Sequence, residues 1–147
     1  MNWTTLLRYR IQVEDVIREE VMMAELEKSK QESSRVHARN EMDRIAIDLD
    51  RSLQSGVESV FAEQRFGWLE ETGVFLERQV KRIYEIDGKL EALRARLRQA
   101  HHARRVVEIV IEKKEAAYMK KLAQQEQVQM EEVTAHKHVS LSTEELA

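Results

Sequence analysis

The side chains best suited to metal or acid–base chemistry in this chain are its histidines. His101 and His102 are adjacent, and neighbouring residues of an α-helix point about 100° apart. His136 and His138 diverge further, so neither pair has the i, i+4 spacing that places two imidazoles on one metal ion. We therefore expect no metal site, and we interpret these histidines as solvated side chains on a helix.

Carboxylates form adjacent pairs, such as Glu19-Glu20, Glu70-Glu71 and Glu131-Glu132. A general acid and a general base need burial to separate their pKa values. The apolar residues of this chain recur only along one narrow stripe of a helix, which provides little burial. The chain also has no GxxxxGK[ST], GxGxxG or GxSxG motif, and Ser33-Ser34 has no partner base. We expect no enzymatic activity, no catalytic residues and no cofactor.

The composition favours long helices over a compact globule. Of the 147 residues, 35% are charged and 5% are aromatic, and the chain has no proline and no cysteine. No segment approaches the roughly 18–20 uncharged apolar residues that a membrane span needs. The amino terminus lacks the pattern of a signal peptide. These features predict a soluble, cytoplasmic protein without disulfides.

Residues 69–111 carry the strongest periodic pattern, because their apolar residues alternate three and four positions apart. This is the a/d spacing of a left-handed coiled coil. The predicted apolar seam comprises Leu69, Leu76, Ile83, Ile86, Leu90, Leu93, Leu97, Ala100, Val107 and Ile111, with Arg104 in one slot. Earlier in the chain the same spacing selects Leu7, Ile17, Val21, Ala24, Ala38, Met42, Ile45 and Leu49. A single narrow stripe cannot bury itself, so the sequence predicts two helices packed against each other.

The predicted fold class is all-α, a long antiparallel two-helix coiled-coil hairpin whose second helix is longer than the first. We expect a single domain over residues 1–147, with its elements in the following order. Helix one covers about 4–53, the tip about 54–67, helix two about 68–138 and a loose tail 139–147. Ser55-Gly56, Gly67 and Gly73 are the turn signals that place the reversal, and Thr4 or Thr5 is the expected N-cap of helix one.

Opposite charges support antiparallel pairing. With the reversal centred near residue 61, residues 94–105 lie opposite residues 17–28. The first segment has five arginines and no acid, and the second has four glutamates against Arg18 and Lys28. Helix two then extends past helix one, so residues 118–137, called the overhang below, have no partner helix. The overhang carries apolar residues, so it is either frayed or docked into another protein.

Basic residues dominate residues 78–121, with 13 Lys/Arg against 6 Asp/Glu. Nucleic acid could use such a surface, but only Tyr84 and Tyr118 are available there to stack on bases. We therefore favour an acidic protein partner and expect no nucleic acid. Other aromatic residues concentrate near the tip, at Phe61, Phe66, Trp68 and Phe75. They either cap the open end of the coiled coil or form an apolar docking patch.

The carboxy-terminal run ARRVVEIVIEKKEAAYMKKLAQQEQVQMEEVTAHK resembles the FliJ family of flagellar export proteins and their type III secretion relatives. The resemblance rests on a progression of Arg, Glu-Lys, Tyr, Glu-Gln and Met-(Asp/Glu)-Glu. Here that progression falls on Arg104, Arg105, Glu112, Lys113, Tyr118, Glu126, Met130, Glu131 and Glu132. The opening LLRYRIQVEDVIREE and the stretch FLERQVKRI fit the same outline.

This resemblance implies a non-catalytic stalk of the flagellar protein export apparatus. Its free end would insert into the hexameric export ATPase, promote ATPase assembly and activity, and couple the ATPase to the export gate membrane protein. The protein would also escort export chaperones. It would be monomeric when free, cytoplasmic, and peripheral at the inner face of the cell membrane.

Two sets of candidate contact residues follow from the overhang and from the resemblance. The candidates for the ATPase ring are Arg104, Arg105, Lys113, Lys114, Tyr118, Lys120, Lys121, Leu122, Val128 and Met130. The candidates for the export gate, placed by position along the family's hairpin, are Met42, Ile45, Leu49, Trp68, Leu76 and Ile83. A tip that is richer in apolar residues than in tyrosines departs from the family pattern.

Two other functions fit a helical hairpin with an exposed stripe. One is an oligomeric coiled-coil scaffold or holdase-type chaperone unrelated to export, which would form a stable dimer or trimer. The other is a nucleic-acid-binding helical protein, whose binding would weaken as salt is added. A monomer at micromolar concentration favours the export stalk.

Overall fold

The computed structural model describes residues 1–56 and 59–146, and these residues form two helices and no strand. Helix α1 covers Trp3–Gln54 and helix α2 covers Ser59–Leu146. The second helix has 88 residues against 52 in the first. The predicted all-α hairpin with a longer second helix is therefore confirmed.

Asn2 caps the amino terminus of α1. The backbone N–H of Thr5 donates to the Asn2 Oδ1 at 3.1 Å, and the N–H of Leu6 donates to the Asn2 carbonyl oxygen at 3.2 Å. Asparagine is among the best N-cap residues, since its side-chain oxygen satisfies an N–H that the first turn leaves without a partner. The prediction of a Thr4 or Thr5 cap was wrong because both residues lie inside the helix.

The turn between the helices is shorter than the predicted tip at 54–67. Ser55 and Gly56 follow the end of α1, and Gly56 has a φ of 77°, in the left-handed region that glycine adopts most readily. Helix α2 then begins at Ser59 rather than near residue 68. Gly67 lies within it, since one glycine in a helix interior costs only about 1 kcal/mol. The predicted tip also includes residues 57 and 58, which lie outside the described residues.

The carboxy-terminal end of α2 also differs from the prediction. A loose tail at 139–147 was expected after a helix ending near residue 138, but α2 continues to Leu146. The chain has no proline, and no glycine follows Gly88, so no residue there forces the helix to stop. Ala147, the last residue of the predicted tail, lies outside the described residues.

Two compact units make up the chain. One consists of residues 12–100, and the other of residues 1–11 together with 101–147. The organisation of residues 1–147 as one domain stays a prediction.

The core of unit 12–100 is the predicted apolar seam. Its central cluster is Val21, Ala24, Ile86, Leu90 and Leu93, with the partly buried Leu97 packed against it. Other predicted seam residues of this unit are also buried, namely Ile17, Ile45, Leu49, Ile83 and Ala100. The heptad reading of both helices is therefore confirmed here. The sequence analysis missed two buried residues, Ala62 and Glu14; Glu14 is 2% exposed and pairs with Arg18 at 2.9 Å.

Ion pairs across the two helices of this unit establish their antiparallel direction. Between residues 20–25 and residues 27–28 of α1, the partner numbers along α2 fall from 94–96 to 82–87. The pairs are Glu20–Arg96 at 3.5 Å, Glu25–Arg94 at 3.1 Å, Lys28–Asp87 at 2.7 Å and Glu27–Arg82. The predicted opposition of acidic and basic segments is therefore confirmed for Arg94 and Arg96, whereas Arg104 and Arg105 pair with acidic residues of α2 itself. The hydrogen bond to Asp87 raises the pKa of the Lys28 ammonium above its ordinary value.

Candidate functional site

The candidate site lies in the unit formed by residues 1–11 and 101–147, where α2 passes the start of α1. The first residue of α1, Trp3, lies beside Lys114, whose Nζ is 5.0 Å from the centroid of the Trp3 ring. Before this point Val107 is buried and Ile111 is half-buried. Beyond it, Leu122 is the single half-buried side chain of the overhang, residues 118–137, and the others are exposed.

Large apolar side chains of the overhang point to solvent. Tyr118 is 62% exposed, Val128 52% and Met130 71%. Met119 and Val133 are also exposed. An uncovered helix with this many apolar side chains offers surface for a protein interface. The sequence analysis placed Tyr118, Leu122, Val128 and Met130 in such a contact, and the structure brings them onto one continuous uncovered helix.

Lysines flank the amino-terminal end of the overhang. Lys113, Lys120 and Lys121 are exposed, and none of them has an ion pair with any residue in the described ranges 1–56 and 59–146. Lys114 is also exposed but lies over the Trp3 ring. These four cations can therefore attract an acidic partner at low salt.

Arg104 and Arg105 differ from the lysines because acidic residues of α2 already engage them. Arg104 pairs with Glu108 and its Nη2 lies 2.9 Å from Nδ1 of His101. Arg105 pairs with Glu108 at 2.9 Å and with Glu112 at 3.2 Å. The hydrogen bond from Arg105 lowers the pKa of the Glu108 carboxyl below its ordinary value despite partial desolvation, and the bond from Arg104 adds to this effect. The two arginines therefore offer less available charge to a partner than the lysines do.

The export-gate candidates lie in unit 12–100, and most of them belong to the seam. Ile45, Leu49 and Ile83 are buried, and Met42 and Leu76 are half-buried. These five side chains pack between the helices, so a partner could reach them fully only if the helices separated. Trp68, at 56% exposed, is the one candidate of this set that is accessible on the paired helices.

Trp68 belongs to a small aromatic cluster that the sequence analysis identified only in part. The guanidinium of Arg65 lies 4.8 Å from the ring centroid of Phe61 and 5.5 Å from that of Trp68. The same side chains line a shallow groove of about 420 Å³. Arg65 was not predicted, although its positions four after Phe61 and three before Trp68 are those of neighbours on a helix.

In residues 1–56 and 59–146, no group of three His, Asp or Glu side chains is arranged to hold a metal ion. No helix within those ranges has an apolar stretch long enough to cross a bilayer.

Comparisons with protein-family models, with curated proteins and with solved structures found no match for this chain. Its function is therefore inferred from its own residues and from their arrangement on the two helices.

Proposed function

We propose that this protein is a non-catalytic stalk of a flagellar or type III protein export apparatus, a function that its resemblance to the FliJ family implies. In this role the overhang inserts into the central opening of the hexameric export ATPase. Insertion promotes assembly of the hexamer and its hydrolysis of ATP. The hairpin links the ATPase to the export gate at the membrane and escorts export chaperones.

The observation that carries this proposal is the exposed overhang beyond the start of α1. A stalk that enters a ring needs a free helical end with apolar side chains to pack against the ring's inner surface. Tyr118, Leu122, Val128 and Met130 supply such side chains on residues 118–137. Burying apolar side chains contributes about 25 cal/mol for each Å² removed from water, so docking of this segment is favourable.

Four lysines near the overhang also support this part of α2 as the ATPase contact. Lys113, Lys114, Lys120 and Lys121 lie on three consecutive turns of α2, and acidic loops inside the ring would attract them. Arg104 and Arg105 take a smaller part, since Glu108 and Glu112 already neutralise them. Trp68 is the leading candidate for the gate contact, because it is accessible without separating the helices.

The test is the ATP hydrolysis rate of the export ATPase from the same organism, measured with and without this protein. We expect stimulation by the full chain and its loss on truncation after Tyr118. Reversing the four lysines together (K113E, K114E, K120E and K121E) should weaken ATPase binding, most strongly at low salt.

A matched pair of variants separates a local effect from a change in net charge. K120E/K121E removes two overhang lysines, and K81E/K89E removes two exposed lysines of unit 12–100 that have no ion pair among the described residues. We expect the first variant to bind the ATPase more weakly and the second to bind it like the unmodified protein. Full-strength binding of the fourfold variant at low salt would refute this site, and absence of both stimulation and co-elution would refute the stalk.

A further inference from the structure

The carboxy-terminal part of α2 carries a second side-chain pattern, distinct from the heptad seam. Six residues, spaced 4, 4, 3, 4 and 4 positions apart, follow an order of residue types that is symmetrical about its centre. They are Leu122, Glu126, Met130, Val133, Lys137 and Leu141. Read from either end, the order is leucine, charged, apolar, apolar, charged, leucine. The two charged residues, Glu126 and Lys137, have opposite signs.

These six residues share one face of the helix. At about 100° per residue, their positions fall within an arc of roughly 100°. Residues 122 and 133, 126 and 137, and 130 and 141 are each eleven apart, a repeat that matches a nearly straight helix. The middle of the face forms a shallow groove of about 540 Å³, lined by Glu126, Met130, Val133 and Lys137 among others. We call these six residues the terminal face.

The terminal face is uncovered. Met130, Val133 and Leu141 are each more than half exposed, and Leu122 is half-buried. Glu126 and Lys137 have no ion pair with any other residue of the described chain. Both the apolar and the charged members of the face are therefore available to a partner.

Because of its symmetry, the terminal face is complementary to a second copy of itself. When two copies of this segment run antiparallel about a two-fold axis between residues 131 and 132, residue n faces residue 263 − n of the other copy. Leu122 then meets Leu141, Glu126 meets Lys137, and Met130 meets Val133, and each pairing occurs twice. Every layer joins apolar to apolar or acid to base, and an interface of this isologous kind closes on itself.

We propose that a second copy of this chain is the partner of the terminal face, through antiparallel pairing of residues 122–141. A parallel arrangement would place Glu126 against Glu126 and Lys137 against Lys137, so electrostatic repulsion disfavours it. The inference does not rest on the export-stalk proposal, because it uses the symmetry of this face alone.

The expected association is weak. The paired segment is about 28 Å long at roughly 1.5 Å per residue, and its apolar layers involve only four side chains from each copy. A contact of this size is smaller than the roughly 1,600 Å² that typical stable complexes bury in total. The protein should therefore be monomeric when dilute and should associate as its concentration rises.

Helix α1 carries a related pattern that could compete as the docking surface. Glu19, Met23, Leu26 and Lys30 repeat the spacing of the four central residues of the terminal face. The positions that correspond to the two terminal leucines are Asp15 and Ser34, so the apolar end layers are absent there. The terminal face is the longer complementary surface and is favoured for this reason.

Sedimentation equilibrium of the full chain, from micromolar to millimolar concentration, tests the pairing through charge exchange. The variants K137E and E126K each turn both charged layers of the antiparallel pair into like-charge contacts. Each should lose roughly tenfold in apparent association constant, since two attractions become repulsions. Mixing K137E with E126K restores opposite charges in both layers, so the mixture should form heterodimers. The double variant E126K/K137E should self-associate like the unmodified chain.

E132K is the matched control, because Glu132 is exposed and lies outside the terminal face but its reversal changes net charge as E126K does. It should associate like the unmodified chain. Circular dichroism of the dilute variants should show unchanged helix content, which excludes unfolding as the cause of any loss.

Several outcomes would overturn the inference. The unmodified chain could stay monomeric at every concentration, or the mixture of K137E and E126K could fail to form heterodimers. An equal loss of association in E132K would mean that net charge, and not the terminal face, causes the effect. Association that is insensitive to E126K and K137E but abolished by M23E would place the interface on α1. Glu126 and Lys137 also lie in the overhang, so ATPase stimulation is measured separately, with the unmodified chain, and its result does not decide the pairing.

Discussion

At the scale of single residues, stability in unit 12–100 depends on a few fully buried side chains. Leu90 is 1% exposed and Ile86 is 2% exposed, and both belong to the central cluster. Because each helix contributes only one narrow stripe of apolar residues, the pairing of the helices is stabilised by few layers of side chains. Truncating one of these side chains should therefore lower the free energy of unfolding strongly.

Leu90→Ala should lower the free energy of unfolding by about 2–4 kcal/mol, because it removes buried methyl and methylene groups and leaves a cavity in the seam. Leu53→Ala makes the same chemical change at a side chain that is 50% exposed and should cost less than about 0.5 kcal/mol. Denaturation in urea followed by circular dichroism measures both. Equal losses in the two variants would mean that the helices are not paired at Leu90.

Glu14 shows a residue-scale feature that apolar periodicity could not identify. It lies three positions before Ile17 and seven before Val21, which is a seam position, and it is buried despite its charge. Its carboxylate accepts a hydrogen bond from Arg18 at 2.9 Å. A search for apolar residues passes over such a position, although its spacing marks it as part of the seam.

At the scale of the elements, glycine decides where a helix turns and where it continues. Gly56 has a positive φ and belongs to the turn, whereas Gly67, Gly73 and Gly88 lie inside α2. The same residue type therefore marked both the correct turn, at Gly56, and one position that was wrongly included in the tip, Gly67. At Gly88 the difference is one of context, because the buried Ile86 and Leu90 on either side belong to the packed seam of α2.

Gly88→Ala should raise the free energy of unfolding by about 1 kcal/mol, since alanine is the better helix former. A Cβ atom at this position would meet no heavy atom within 4 Å, so no clash offsets the gain. Gly56→Ala also meets open space, but it forces a left-handed backbone on alanine and should cost roughly 1–2 kcal/mol. Thermal unfolding measures both. A loss of stability in Gly88→Ala would mean that α2 is not a regular helix at this position.

At the scale of the whole molecule, the two units differ in how their helices are covered. In unit 12–100 both helices contribute to the core and exchange ion pairs. In the other unit the short segment 1–11 lies beside the first part of residues 101–147, where Trp3 contacts Lys114, and residues 123–144 are exposed throughout. A helix without a packing partner has little stability of its own in water.

Amide hydrogen exchange at low protein concentration should reflect this difference. Residues 86–93 should exchange slowly, and residues 123–144 should exchange at rates close to those of an unfolded peptide, because opening a lone helix costs little. Raising the concentration should slow exchange within 122–141 if the terminal face pairs with itself. Strong protection of residues 123–144 in the dilute protein would contradict the uncovered arrangement.

The sequence by itself determined the helical class, the antiparallel pairing and most seam residues. Heptad spacing identifies a buried stripe without any structure, because only one face of a helix can pack against one neighbour. The overhang followed as well, because the second periodic segment is longer than the first. The seam side chains of Leu90 and Val21 were predicted correctly for this reason.

The tertiary structure alone decided the length of the turn and which predicted contact residues are accessible. Gly56 and Gly67 are both glycines near the predicted reversal, yet Gly56 has a φ of 77° in the turn and Gly67 is helical. Trp68 and Ile45 are both large and apolar, yet one is exposed and the other is buried between the helices. Likewise, Arg105 and Lys120 carry the same charge, but only Arg105 has acidic residues placed to neutralise it. Accessibility and available charge depend on three-dimensional neighbours, which spacing along the chain specifies only in part.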